Sequence, residues 1–175
     1  SGLYALPNVG KAATNVILEA KSFDAGLVFR LIQEHGVTNM FVAPTMLKLL
    51  VDDADLNSRD LSSMRAFIYG GGPMMVDDLI KAMEGLGNRL VQLYGQGESP
   101  MTITYLSHDD HVLGADETQT KRLASAGRPH ANLEVRIVDD EDNELPAGEM
   151  GEIATRSDLV MKGYWRDEAA TAATL

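Results

Sequence analysis

The run Leu90-Val91-Gln92-Leu93-Tyr94-Gly95-Gln96-Gly97-Glu98 ends a short apolar segment in an aromatic, two glycines and one carboxylate. Those residue types suit a nucleotide pocket. Glycine permits positive φ and close approach of backbone N–H groups, tyrosine offers a flat face to a base, and Glu98 is a hard oxygen ligand for Mg²⁺. A second glycine loop, Tyr69-Gly70-Gly71-Gly72-Pro73, also follows directly on an apolar run. If the two runs are neighbouring parallel strands, both loops open on one crevice at their carboxyl ends, where open α/β sheets bind ligands.

The segments around these loops alternate between strand and helix. Residues 13–19 form a β-branched run that predicts a strand. Asp24 caps a helix that presents Leu27, Val28, Leu31 and Ile32 on one face, and Gly36 ends it. A strand over 37–43 leads to a helix opened by Pro44 and Thr45 and running to Asp52, with a polar link over 54–63. The strand 65–69 feeds the first glycine loop. A helix over 75–86, with Val76, Leu79, Ile80 and Met83 at helical spacing, leads to the strand 89–93 and the second loop. Short links between strand, helix and strand imply right-handed crossovers and a parallel sheet.

The pattern changes beyond residue 106. A polar stretch over 107–122 reads as a loop with about one helical turn. Leu133 to Val138 alternates as a half-buried strand, Asp139 to Asn143 is an acidic turn, and 150–156 returns as a second strand after the Pro146-Ala147-Gly148 bend. The expected organisation is an α/β unit over 1–106 and, over 107–175, a polar loop with part of an antiparallel β unit. Three tempting features read as structural. The cluster Ser107-His108-Asp109-Asp110-His111 is taken for an exposed loop rather than a metal site, Met75 and Met83 for core filler, and Asp139 to Asp142 for a solvated turn without the calcium-loop spacing.

Composition narrows the class. The 175 residues, 45% of them hydrophobic, can bury a core, and no cysteine means no disulfide framework and no thiolate metal site. A net charge of −11 argues against a nucleic-acid surface. No apolar run approaches the roughly 20 residues of a membrane span, and no signal-peptide pattern is present, which fits a cytoplasmic protein.

Taken in order, several segments resemble the adenylate-forming enzymes, the acyl-CoA synthetases and their relatives. Tyr94-Gly95-Gln96-Gly97-Glu98 is similar to the family's Tyr-Gly-x-Thr-Glu, Phe41 to Leu47 to its Val-Pro-Thr-Met-Leu segment, and Gly70 to Pro73 to its Gly-Gly-Ala/Gly-Pro loop. Gly127-Arg128-Pro129, Val135 to Asp139, Leu145 to Ile153 and Gly163-Tyr164-Trp165 follow in family order. Together they cover most of the chain. The family's phosphate loop ending in Pro-Lys-Gly, its ribose-binding Thr-Gly-Asp and its C-terminal catalytic lysine have no counterpart here. The chain therefore reads as an internal piece of a larger synthetase that joins the rest of its parent chain, with Ser1-Gly2 as a tag remnant.

The resemblance implies half of the second N-terminal subdomain, a parallel sheet with flanking helices, followed by a small antiparallel β-barrel-like unit. It implies ATP, Mg²⁺ and coenzyme A as cofactors and a fatty or aryl acid as substrate. Gly70, Gly71, Gly72 and Pro73 would line the adenine, with Tyr94 stacked opposite and Gly95, Gln96 and Gly97 completing the nucleotide site. Glu98 would hold Mg²⁺ and act in catalysis, and the acyl chain would pass near Gly71, Gly72 and Gly95. The isolated piece is expected to be inactive. The alternatives are an adenylation domain of a peptide synthetase and a non-catalytic nucleotide-binding or interaction module. One departure stands out, since Gly97 replaces the family threonine whose hydroxyl bonds phosphate. Two readings stay open: the missing hydroxyl is a deficit that slows the enzyme or alters its nucleotide binding, or, the favoured expectation, Gly97 takes positive φ so that its backbone reaches the phosphate instead.

Overall fold

Asp24 begins the first helix of the sheet region by accepting a bond from the Leu27 N–H at 2.7 Å, and Gly36 ends it in the left-handed conformation at φ 58°. The fold is that of a computed structural model, which describes residues 2–112 and 117–175. In chain order the helices are α1 (Gly2–Gly10), α2 (Ala25–His35), α3 (Pro44–Val51), α4 (Val76–Leu86), α5 (Glu117–Leu123) and α6 (Glu168–Thr174). The strands are β1 (Asn39–Val42), β2 (Ala66–Gly70), β3 (Leu90–Gln96), β4 (Ser99–Leu106), β5 (Arg128–Pro129), β6 (Glu134–Val138) and β7 (Glu152–Arg156).

Strands β1 to β5 lie side by side in sequence order. The first three are parallel, as expected from the strand–helix alternation, whereas β4 and β5 run antiparallel. One contiguous core joins α2, α3, α4 and α5 to the sheet through Phe29, Ile32, Leu47, Leu50, Phe67, Leu79, Leu90 and Leu123. Phe67 and Tyr69, two apart on β2, share the face turned to this core. Each fully buried leucine there contributes about 1.5–3 kcal/mol relative to exposure. A separate antiparallel pair, β6 and β7, runs from Glu134↔Arg156 to Val138↔Glu152 and does not close into a barrel among the described residues.

Several expectations are corrected. Residues 13–19 form no strand, because no neighbour pairs with them, and Val16 and Ile17 stay exposed; β-branched propensity needs a partner. The helices α1 and α6 were not anticipated, and a single 3-10 turn interrupts the polar link at Leu56–Ser58. Met83 is core filler, but Met75 sits at the α4 cap and is exposed. The polar stretch after β4 holds a 3-10 turn (His108–Asp110) and α5; its residues 113–116 lie outside the described residues, as does Ser1 of the tag reading. His111 within it is buried, not exposed. Asp139 does form a solvated turn, accepting from the N–H groups of Glu141 and Asn143.

Candidate functional site

The parallel pairing of β2 with β3 brings the two glycine-rich segments together, with Gly70 opposite Leu93. The segments differ in kind. Gly71, Gly72 and Pro73 leave the sheet as an exposed loop, whereas Tyr94, Gly95 and Gln96 continue β3 past the end of β2 and turn back through Gly97-Glu98 into β4. The strand therefore ends at Gln96 rather than at Leu93 as expected. Only Gly97 and Glu98 form the tip.

The glycines have distinct reasons to be glycine. A Cβ on Gly70 would lie 2.2 Å from the Leu93 carbonyl oxygen, and one on Gly95 would lie 2.3 Å from the Met101 nitrogen and 2.4 Å from the Ser99 oxygen. Both serve close backbone packing, and the space beside Gly95 is filled by β4 rather than left for a chain of a ligand. Gly71 instead takes φ +81° with open space beyond it. Gly97 also faces open space but stays outside the left-handed region, which corrects the expected positive φ. The left-handed residue of the hairpin is Met101, at φ 60°, across from a register shift between Tyr94 and Gln96. The bulge, not the tip, accommodates the twist.

Tyr94 is half-buried, and its hydroxyl accepts a bond from Gln96 Nε2 at 3.1 Å. Glu98 is held from outside the hairpin. The Tyr164 hydroxyl donates to Glu98 Oε1, and the Met161 N–H donates to the Glu98 carbonyl at 2.7 Å. The Tyr164 hydrogen bond and Glu98's own N–H hold its carboxyl below the usual range, against a smaller opposing effect of burial. Among the described residues no other side chain bonds this carboxylate. Tyr164 is itself fixed: its N–H donates to Thr171 Oγ1 at 2.9 Å, and Gly163, at φ +145°, leaves no room for a Cβ beside that threonine. Sequence reading missed Tyr164 as a site residue, although it quoted the Gly163-Tyr164-Trp165 motif; the contact spans 66 residues of chain.

No three His, Cys, Asp or Glu side chains converge as a metal cage among the described residues. A single carboxylate does fit Mg²⁺, which is commonly held by one or two carboxylates together with substrate phosphates and waters. A surface depression beside α2, lined by Asp24, Arg30, Glu34 and Arg59, lies away from the glycine loops and mixes both charges.

The AMP-binding enzyme family matches residues 3–165. A medium/long-chain-fatty-acid–CoA ligase, FadD8 of Mycobacterium tuberculosis, is 37% identical over 96% of this chain and 28% of that protein. Among solved structures, the amide bond synthetase McbA from Marinactinospora thermotolerans superimposes with a TM-score of 0.88 at 35% identity, over 99% of this chain and 33% of that one. O-succinylbenzoate coenzyme A synthetase (MenE) from Bacillus subtilis, in complex with AMP, gives 0.81 at 30% identity, over 99% and 33%. The chain thus spans about a third of the length of the relatives it matches. It belongs to the AMP-binding enzyme family.

Proposed function

We propose that this chain is part of an ATP-dependent acid–thiol ligase, in which Gly70 to Pro73 and the hairpin Tyr94 to Glu98 form the floor of the nucleotide site. The observation that carries this reading is the parallel pairing of β2 and β3, which sets the exposed Gly71-Gly72-Pro73 loop beside the hairpin carrying Tyr94 and Glu98. Backbone groups of the loop would border the adenine while Tyr94 stacks on its other face. In the first step a carboxylate oxygen of the acid attacks the α-phosphorus of ATP and pyrophosphate leaves; in the second a thiolate attacks the acyl carbonyl and AMP leaves. Glu98 would hold Mg²⁺, which would supply charge neutralisation on the transferring phosphates. The Tyr164 hydroxyl bonds Glu98 Oε1 and so orients the carboxylate before the nucleotide arrives.

Fatty and aryl acids are the proposed substrate classes and coenzyme A the proposed thiol, supported by the likeness to a medium/long-chain-fatty-acid–CoA ligase and to an o-succinylbenzoate coenzyme A synthetase. We place the reaction in the cytoplasm; no helix among the described residues is long and apolar enough to cross a membrane. The likeness to an amide bond synthetase favours one second reading, in which an amine replaces the thiol in the second step. The test is pyrophosphate release by the full-length protein carrying this chain, with a panel of fatty and aromatic acids, followed by coenzyme A or amines as acceptor. Acid-dependent release with thioester formation bears the proposal out, amide formation moves it to the second reading, and no release with any acid overturns it.

A further inference from the structure

His111 is 4% exposed and Tyr69 1%, and the adenylation chemistry proposed above uses neither. His111 Nδ1 lies 2.6 Å from the Ser107 carbonyl, which can only accept, so Nδ1 carries the proton. In the neutral ring Nε2 is then an acceptor, and the Tyr69 hydroxyl, 3.0 Å away, donates to it. Burial holds the ring neutral, outweighing the Ser107 bond and the neighbouring Asp110 charge. The same hydroxyl lies 3.0 Å from Gln92 Oε1. A phenol has one proton, so with His111 neutral Gln92 serves Tyr69 with its amide nitrogen, after a flip of the amide. The direction of every bond then follows from the histidine tautomer.

The position of this network gives it a function. Tyr69 is followed directly by the glycine loop, and Gln92 is its register partner on β3, two residues before Tyr94. His111 comes from the segment after β4, and that segment is itself fixed. The Asp110 carboxylate accepts from the Ser107 N–H and hydroxyl at 2.9 and 2.7 Å and pairs with Arg128 on β5 and with Arg122 on α5. The rigid segment therefore reaches across β3 to the last residues of β2.

We propose that His111 is a positioning residue for the nucleotide loop: through Tyr69 and Gln92 it fixes where β2 ends and Gly70 to Pro73 begins, beside Tyr94. The inference rests on the reading of that loop as the adenine site. Substitutions separate the two bonds of the ring, because an asparagine amide reaches only the Nδ1 position and a glutamine amide reaches the Nε2 position.

The test uses the full-length protein carrying this chain, with amide chemical shifts and order parameters of Gly70 to Gly72 and Leu93 to Gly95 measured alongside titration with AMP added without metal. His111→Asn is expected to shift and loosen these amides and to weaken AMP about tenfold, the loss that matches one hydrogen bond. His111→Gln is expected to restore both, and Tyr69→Phe, which keeps the ring packing, to reproduce the loss should the asparagine variant not fold. Loop amides that match wild type in His111→Asn and Tyr69→Phe overturn the proposal. A glutamine variant as loose as the asparagine one also overturns it, since packing alone would then explain the site. Loop amides that respond as expected while the wild-type full-length protein takes no AMP uphold the positioning and overturn the nucleotide reading instead.

Discussion

Glu98 and Tyr164 form a pair whose separate contributions can be measured. Glu98→Gln keeps size and removes the charge proposed to face Mg²⁺, so adenylation by the full-length protein should fall by orders of magnitude, roughly 10²–10³-fold, with the fold intact. Tyr164→Phe leaves the charge but frees the carboxylate, and should cost less, about tenfold, mainly in the Mg²⁺ concentration needed for half-maximal rate. In a double-mutant cycle the tyrosine effect should vanish on the glutamine background, because a positioning bond has nothing left to position. Additive losses would separate Tyr164 from the carboxylate's role. Gly97 offers a gain rather than a loss. Its Cβ position is open and its backbone is not left-handed, so threonine fits there without strain. Gly97→Thr should leave the melting temperature unchanged and lower KM for ATP or raise kcat by up to about tenfold, the equivalent of a bond worth about 1.4 kcal/mol. Steady-state kinetics with a melting curve decide it, and unchanged kinetics would mean that position 97 does not touch the nucleotide.

The β3–β4 hairpin shows what an element owes to glycine. Gly95→Ala puts a methyl carbon within 2.4 Å of two backbone atoms of β4, which cannot swing aside as a side chain can. Overpacking of this kind typically costs about 1–3 kcal/mol, and a chain of this size loses about 2–4 °C in melting temperature per kcal/mol. A calorimetric scan should therefore show Gly95→Ala several degrees lower and Gly97→Ala, two residues along in open space, unchanged. The same hairpin marks the limit of what was legible beforehand. Caps such as Asp24 and Gly36, and the helical spacing of Leu79 and Met83, were readable because each depends on residues within a few positions. So was the parallel order of β1, β2 and β3, which follows from short strand–helix links. The continuation of β3 through Tyr94-Gly95-Gln96 was not, because two glycines read as a loop unless the partner strand that fills their space is known. Residues 13–19 failed in the opposite sense, with strand-forming residues and no partner. Tyr164 and His111 were hidden for a related reason: a bond spanning 66 residues and a burial completed by Tyr69 leave no local pattern.

At the scale of the whole molecule, buried ionisable groups couple stability to pH. Burial lowers the pKa of His111 and of His130 below the unfolded value of about 6.5. Each therefore takes up a proton on unfolding once the pH drops below that value, so its share of stability is complete above about pH 6.5 and is lost as the pH falls. Asp110 acts lower. Burial raises its pKa, but the Ser107 bonds and Arg128 together outweigh this and hold it below the usual carboxylate range, so its contribution is lost as the pH falls below about 4. Melting temperatures should stay level from pH 8 to 7, decline below 6.5 and decline again below 4, with His111→Gln shrinking the first step; a flat profile through pH 6 would contradict the burial of His111 and the partial burial of His130. Activity is the other whole-molecule property. The described residues offer a carboxylate, a flat aromatic ring and a loop of backbone groups, but no Ser/Thr/Gly-rich phosphate loop to meet the charge that builds on pyrophosphate as it leaves. Positioning alone supplies part of a phosphoryl-type barrier; charge stabilisation supplies the rest. The 175-residue chain should therefore take AMP weakly and release no pyrophosphate from ATP above a no-protein control with any fatty or aryl acid. Release by the chain alone would place the missing positive charge on Lys162 or Arg166, which flank Tyr164, and alanine substitution there should then abolish it.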